Sequence, residues 1–244
     1  MNRAGLFVVV AIAIIAGAMF AIYPQLDLAI SRLMFEQVDS GFVPGAAMKV
    51  LREAARFVVA LIAAPAFIAV ALKLIAPKRP MLIPGRAALL MIATLAIGPG
   101  LISNAVLKDH WHRPRPVQVT EFGGNSHFTP WWDPRGECVA NCSFVAGEPS
   151  GAFWTIAAAS YAPPPWRPLA YGAAIIFGLA VGLLRMAAGG HFASDVVFAG
   201  VFTFLVIWLA HARLYRWRNR PSDAAVENAI ARIVSPRQKA DGRD

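Results

Sequence analysis

Residues 168–212 read PLAYGAAIIFGLAVGLLRMAAGGHFASDVVFAGVFTFLVIWLAHA. Two apolar runs, at 168–184 and 196–212, flank a short segment that carries Arg185, His191 and Asp195. Each run is long enough to cross the hydrocarbon core of a bilayer as a helix, which needs about 17–25 residues. Ionisable side chains at the ends of such helices are costly and usually functional. The stretch therefore predicts a helical hairpin in a membrane with a site at its connection.

Further apolar runs of spanning length cover residues 5–23, 55–77 and 87–107, and a weaker run covers 151–162. Three consecutive prolines at 163–165 end the weaker run, which we interpret as a span beginning near Phe144. The sequence thus predicts an all-α integral membrane bundle of six transmembrane helices. The first run also has features of a cleaved secretory signal, but its length favours a retained span.

The composition supports the membrane class. Of the 244 residues, 57% are hydrophobic and 15% are charged, and the mean hydropathy is +0.53. These values argue against a soluble fold. The net charge is +9, but the basic residues collect in short loops and near the C-terminus, so they do not form a face for nucleic acid.

The distribution of basic residues predicts the orientation. Two groups of basic residues mark the cytoplasmic side, Lys73, Lys78, Arg79 and Arg86 around the second connection and Arg213, Arg216, Arg218 and Arg220 after the last span. The connections at 24–54 and 108–143 then face outward, with residues 26–35 as a short interfacial helix. We expect a bacterial inner membrane protein with a membrane domain at 1–220 and a polar, loosely attached cytoplasmic tail at 221–244.

Charged residues at four span ends are predicted to meet on the outer, periplasmic face. They are Lys108 with Arg113 and Arg115 at the end of the third span, Glu148 at the start of the fourth, Arg185 at the end of the fifth, and His191 and Asp195 at the start of the sixth. Because successive spans alternate in direction, these ends share one face. Lysine and arginine together suit an oxyanion. His191 and Asp195 are four residues apart, so on a helix they share a face, and the carboxylate can orient the imidazole as a nucleophile.

These spacings resemble the type 2 phosphatidic acid phosphatase superfamily. Its Lys-x6-Arg-Pro motif is matched by Lys108, Arg115 and Pro116, and its Ser-Arg-x5-His-x3-Asp motif by Arg185, His191 and Asp195, with leucine at 184 in place of serine. The resemblance covers about residues 85–212. The remaining motif, Ser-Phe-Pro-Ser-Gly-His-Ala-Ser, aligns best with residues 143–150, which puts Glu148 at the histidine position. A second register matches Pro149-Ser150-Gly151 and leaves alanine at that position.

The resemblance implies a lipid phosphatase that needs neither a metal nor another cofactor. His191 would attack the phosphoryl group, Asp195 would orient it, and Lys108, Arg115 and Arg185 would bind the phosphate with backbone amides near Gly147. Glu148 would replace the family histidine as a general acid, which predicts a mildly acidic rate optimum.

Several alternatives remain open from the sequence. The expected partner is a lipid phosphate in the bilayer, and the candidates are lipid A phosphate groups, undecaprenyl diphosphate, phosphatidylglycerol phosphate and phosphatidic acid, with a preference for lipid A. A lipid phosphotransferase and a catalytically silent phospholipid-binding or transport protein are the competing functions. Cys138 and Cys142 either pair or stay reduced. The oligomeric state is not predicted.

Overall fold

The computed structural model describes residues 2–36, 41–42 and 45–234, and these residues form helices and loops with no β-strand. The helices are α1 (Arg3–Ile22), α2 (Gln25–Glu36), α3 (Gly45–Ile75), α4 (Gly85–His110), α5 (Gly147–Phe153), α6 (Thr155–Ala159), α7 (Arg167–Ala187), α8 (Ala193–Arg216) and α9 (Asp223–Arg232). Two short 3-10 turns lie at Pro116–Gln118 and Thr120–Phe122. The predicted all-α class is confirmed.

Within the described part of the chain, five helices are long and apolar enough to cross a membrane, namely α1, α3, α4, α7 and α8. Large apolar side chains point away from the bundle on several of them, for example Phe7, Phe57 and Ile176, which are 69%, 69% and 67% exposed. So much apolar surface would be unfavourable in water, whereas lipid tails cover it without cost. The helix predicted at 26–35 is observed as α2.

The weak run near residue 151 forms two short helices at the centre of the bundle. The α5 and α6 helices are separated at Trp154, which is fully buried and donates a hydrogen bond to Thr94 on α4 at 3.0 Å. Together they rise only about 20 Å, compared with about 30 Å of hydrocarbon. The single continuous helix expected here is therefore not observed. Contacts inside the bundle, such as the hydrogen bond from Trp154 to α4, hold the two short helices in place.

Small residues let α5 sit between α7 and α8. The Phe153 ring lies against Gly178 of α7 and Gly200 of α8, and a methyl group at Gly178 would collide with that ring. Close approach through glycine is typical of helix packing in membranes. This packing fixes the position of the α5 N-terminus, where Gly147 and Glu148 lie.

The C-terminal helix α9 is docked on the bundle. Asp223 accepts hydrogen bonds from Arg86, including one from the backbone N–H at 2.9 Å, and Glu227 pairs with Lys73 at 3.4 Å. Val226 is buried. The expectation of a loosely attached tail is wrong for this helix, and the tail beyond residue 234 lies outside the described residues.

Candidate active site

The residues predicted to converge do lie together. The ends of α4 and α7 and the starts of α5 and α8 meet, and the charges of Lys108, Arg115 and Arg185 are close enough to one another to interact. His191 interacts electrostatically with Arg115 and Arg185 as well. The convergence inferred from alternating helix directions is therefore observed.

His191 is held by a backbone carbonyl in the loop before α5. Its side chain is 2% exposed, and Nδ1 donates a hydrogen bond to the carbonyl oxygen of Ser143 at 2.7 Å. A carbonyl only accepts, so the proton is on Nδ1 and the Nε2 lone pair is available. Burial lowers the pKa of His191 to about 4, and the nearby Asp195 carboxylate opposes part of that shift. The imidazole is therefore neutral at physiological pH.

Asp195 has a different contact from the one expected. Its Oδ2 lies 3.8 Å from Nδ1 of His191, which is beyond hydrogen-bond distance. The same oxygen accepts hydrogen bonds from the Ser143 hydroxyl and from the backbone N–H of Phe192. Asp195 thus positions the Ser143 segment, and the carbonyl of that segment orients the imidazole.

A buried ion network that sequence reasoning missed lies behind Asp195. Arg113 has no exposed side-chain surface, and its guanidinium donates to Asp195, to Asp27 of α2 and to the backbone oxygen of Thr129. Asp27 also accepts hydrogen bonds from the backbone and hydroxyl of Ser194. The sequence places Arg113 beside Lys108 and Arg115 but does not indicate its pairing with Asp27, a carboxylate within an amphipathic helix.

Glycines bring two of the phosphate-binding candidates close to the backbone. A methyl group at Gly147 would lie 3.0 Å from Nζ of Lys108, and one at Gly190 would collide with the guanidinium of Arg185. The side chain of Arg185 is 8% exposed, and among the described residues its Nε has no hydrogen-bond partner. A buried cationic donor that lacks a hydrogen-bond partner is suited to an anionic ligand.

The third cation is held by a disulfide loop. Arg115 donates three hydrogen bonds to Asn141, two to its backbone oxygen and one at 2.7 Å to its side-chain oxygen. Asn141 has a positive φ of 52° and lies between Cys138 and Cys142, which form a disulfide. The backbone N–H of Cys142 also donates to the carbonyl of Lys108 at 3.1 Å. The loop therefore supports both cations of the first motif.

Glu148 lies among three arginines, of which the sequence identifies only Arg185 as a site residue. Nε of Arg52 is 3.1 and 2.9 Å from its two carboxylate oxygens, Arg56 donates at 3.0 Å, and Nε of Arg185 is 3.6 Å away. These pairs favour the ionised carboxylate. A general acid needs the protonated form, so this arrangement argues against the predicted role, although Glu148 does occupy the site as the preferred register required.

A cavity of about 330 Å³ opens beside these charges. Its polar lining consists of Arg52, Arg56, Asn104, Lys108 and Glu148. Its apolar lining includes Val59, Pro99 and Val181. A cavity with one cationic wall and one apolar wall suits an amphiphile with an anionic headgroup.

Trp131 attaches the outer loop to the bundle. Its ring packs on Phe198 with centroids 4.3 Å apart, and its Nε1 donates to the carbonyl of Gly17 at 3.3 Å. The outer loop is thereby attached to α1 and α8. Trp132 is 48% exposed.

Comparisons with known proteins agree with this geometry. The family model of the PAP2 superfamily matches residues 87–219. A lipid A 4'-phosphatase of Francisella tularensis subsp. novicida is 46% identical over 54% of this chain and 60% of its own length. Lipid A 4'-phosphatases of Rhizobium leguminosarum and Rhizobium etli are 40% and 38% identical over 49% of this chain and 51% and 46% of theirs.

The chain thus spans about half to three fifths of the length of the curated relatives that it matches. No solved structure matches it. The family match includes every motif residue from Lys108 to Asp195 and covers more than half of the chain. The chain therefore belongs to the PAP2 superfamily.

Proposed function

We propose that this protein is a membrane phosphatase that removes a phosphate from lipid A. The observation that carries the proposal is the neutral His191, oriented through Nδ1 and close to the charges of Arg115 and Arg185. The names of the three lipid A 4'-phosphatase relatives support the substrate, and the half-apolar cavity supports a lipid phosphate generally.

The proposed reaction proceeds in two steps. The Nε2 lone pair of His191 attacks phosphorus, and the bond between phosphorus and the lipid oxygen breaks. The lipid oxygen keeps the bonding electrons and takes a proton from a water molecule. The hydroxide left by that water then attacks phosphorus, the bond between phosphorus and Nε2 breaks, and hydrogen phosphate and the neutral imidazole are released. The Ser143 carbonyl accepts from Nδ1 throughout, so it favours the positive charge that develops on the ring.

The cations act on the phosphoryl oxygens. In the proposal Lys108, Arg115 and Arg185 bind these oxygens with amides near Gly147, and they stabilise the charge of the transition state. Asp195 acts as a positioning residue through Ser143. Glu148 balances the surrounding arginines and does not transfer a proton.

We further propose that the chain crosses the inner membrane six times, with the site facing the periplasm. The α7 helix starts far from the site and ends at it, while α5 starts at the site, so residues 147–166 must traverse the bundle. The basic residues around Arg86 and after α8 favour a cytoplasmic location for the opposite end.

Phosphate release from purified lipids tests the proposed function. The detergent-solubilised chain is incubated with EDTA and with lipid A, undecaprenyl diphosphate, phosphatidylglycerol phosphate or phosphatidic acid. We expect release from lipid A with a higher kcat/KM than from the other lipids. Phosphate appearing on another lipid instead of in solution would establish phosphotransfer. Binding of lipid A without any reaction would establish a silent binder.

The pH dependence should report the buried imidazole. The nucleophile is active when neutral, and a pKa lowered from 6.5 to about 4 keeps His191 neutral above that pH. We expect kcat/KM on the best lipid to rise through about pH 4. The second ionisation of the substrate phosphate, with a pKa of about 6, adds a step of its own that moves with the substrate. Enzyme held at low pH and assayed at neutral pH controls for unfolding. A midpoint near 6.5 that is the same for lipid phosphates of different pKa would show that the site does not shift the pKa of His191.

The disulfide loop should contribute to phosphate binding. Replacing Cys138 and Cys142 by alanine removes the disulfide that constrains Asn141. Arg115 then loses the fixed position that its three hydrogen bonds to Asn141 give it. We expect KM to rise about 10-fold with a smaller change in kcat, since each charged hydrogen bond is worth about 1.5–3 kcal/mol. The same substitutions combined with Arg115→Ala should add little. If the disulfide substitutions and Arg115→Ala raise KM additively, the disulfide acts on a part of the site other than Arg115.

A further inference from the structure

Two arginines on α3 extend the cationic cluster beyond the motif residues. Arg52 and Arg56 are four residues apart, so they share one face of the helix. Both contact the Glu148 carboxylate, and both line the cavity together with Lys108. Neither belongs to a motif that places the reacting phosphate.

The charges around Glu148 do not balance. Its single carboxylate faces the guanidinium groups of Arg52, Arg56 and Arg185, and Arg56 also pairs with Glu53 at 2.7 Å. The side chains of Arg52 and Glu148 are 31% and 19% exposed, so water screens this pair incompletely, whereas Arg56 is 51% exposed. Three guanidinium groups and the Lys108 ammonium at the same cavity outnumber the two carboxylates, and this excess of positive charge would be neutralised by a bound anion.

The reacting phosphate alone does not account for this excess. In the proposed function that phosphate is bound by Lys108, Arg115 and Arg185, and of these three only Lys108 lines the cavity. Arg52 and Arg56, on α3, line the cavity and contact the Glu148 carboxylate. The two arginines thus add positive charge to a cavity that Arg115 and Arg185 do not line.

We propose that Arg52 and Arg56 form a subsite for a second anionic group of the substrate, attached close to the reacting phosphate. Glu148 is the counter-ion that keeps the two guanidinium groups at the cavity wall. The cavity of about 330 Å³ has room for two linked anionic groups, and its apolar wall receives the adjoining part of the lipid. The position of the reacting phosphate rests on the proposed function. Binding of the second anionic group does not require catalysis, so it can be measured separately.

Calorimetric titration with inorganic pyrophosphate and orthophosphate tests the subsite. The detergent-solubilised full chain is titrated with EDTA present, as wild type and as Arg52→Gln, Arg56→Gln and Lys49→Gln. Lys49 is an exposed residue of the same helix and does not line the cavity, so its substitution controls for the loss of one charge.

We expect wild type to bind pyrophosphate about 10-fold more tightly than orthophosphate. Arg52→Gln and Arg56→Gln should each weaken pyrophosphate binding about 10-fold, because a charged hydrogen bond is lost. Orthophosphate binding should change by less than about 3-fold, and Lys49→Gln should change neither. All variants are first checked for a monodisperse, folded peak by size exclusion.

Two results would overturn the subsite. Equal weakening of both ligands would assign Arg52 and Arg56 to the reacting phosphate itself. Two equivalents of orthophosphate in wild type, one of them lost in Arg52→Gln, would identify a site for free phosphate. The titration is repeated in His191→Ala, where the preference for pyrophosphate should persist. A chain that hydrolyses no lipid and still shows this preference would contradict the proposed function and leave the subsite standing.

Discussion

Replacing His191 by alanine is expected to lower kcat for lipid hydrolysis by at least about 10⁴-fold, because it removes the atom that bonds to phosphorus. The protein should stay folded, since the histidine side chain makes a single hydrogen bond, to the Ser143 carbonyl. Phosphate release is measured over hours to define the residual rate.

His110 supplies the matched control for this substitution. It lies at the end of α4, close to the same face, and is exposed, with Nδ1 bonded to the carbonyl of Val106 at 2.8 Å. We expect His110→Ala to retain activity within about 3-fold. A loss of less than about 10-fold in His191→Ala would show that another group attacks phosphorus.

Replacing Arg113 by alanine should have the largest effect on stability. The guanidinium is buried between Asp27 and Asp195, so the substitution leaves two buried carboxylates without their shared cation. Breaking a buried ion pair costs about 3–5 kcal/mol. We expect a strongly lowered unfolding temperature in detergent and no measurable activity, because Asp195 then no longer fixes the Ser143 segment.

A substitution of the neighbouring Arg115 serves as a comparison, because it should lower activity without lowering stability. It belongs to the same Arg-Pro repeat but contacts Asn141 at the edge of the site. Arg115→Ala should leave the unfolding temperature nearly unchanged and reduce kcat about 10²-fold, as expected for one lost oxyanion donor. Adding Asp27→Asn to Arg113→Ala should recover part of the stability by removing one unpaired charge. Additive destabilisation in the double variant would contradict the network.

The sequence predicted the site because its motif residues stand at helix ends. Arg185 at the end of α7 and His191 just before α8 follow from hydropathy alone, and the alternating direction of spans brings Lys108 and Glu148 beside them. Local spacing was equally informative, as the four-residue interval between His191 and Asp195 placed the carboxylate near the ring, at 3.8 Å.

The sequence could not reveal contacts made through the backbone or over long separations. Ser143 orients His191 with its carbonyl, which any residue type would supply. Arg52 meets Glu148 across 96 positions of sequence. Arg113 and Arg115 are both followed by proline, so composition does not show which is buried. Only the packing of α2 against the outer loop and α8 decides that Arg113 binds Asp27.

A hydropathy profile also could not predict that the central segment forms two short helices. Residues 151–162 are apolar enough to suggest a span, but the structure divides them at Trp154, whose indole N–H bonds to α4. A hydropathy average over a window of residues does not include hydrogen bonds to other helices. The two short helices are stable because α3, α4, α7 and α8 surround them, as the burial of Trp154 and Ala157 indicates.

Trapping the covalent intermediate tests the central claim most directly. The solubilised protein is mixed with lipid A in the presence of EDTA, quenched in base within milliseconds to seconds, digested, and analysed by mass spectrometry. We predict one phosphoryl group on the peptide that contains His191, stable in base, labile in acid and absent from His191→Ala. Phosphate release by wild type without any phosphorylated His191 at any quench time would contradict the proposed mechanism.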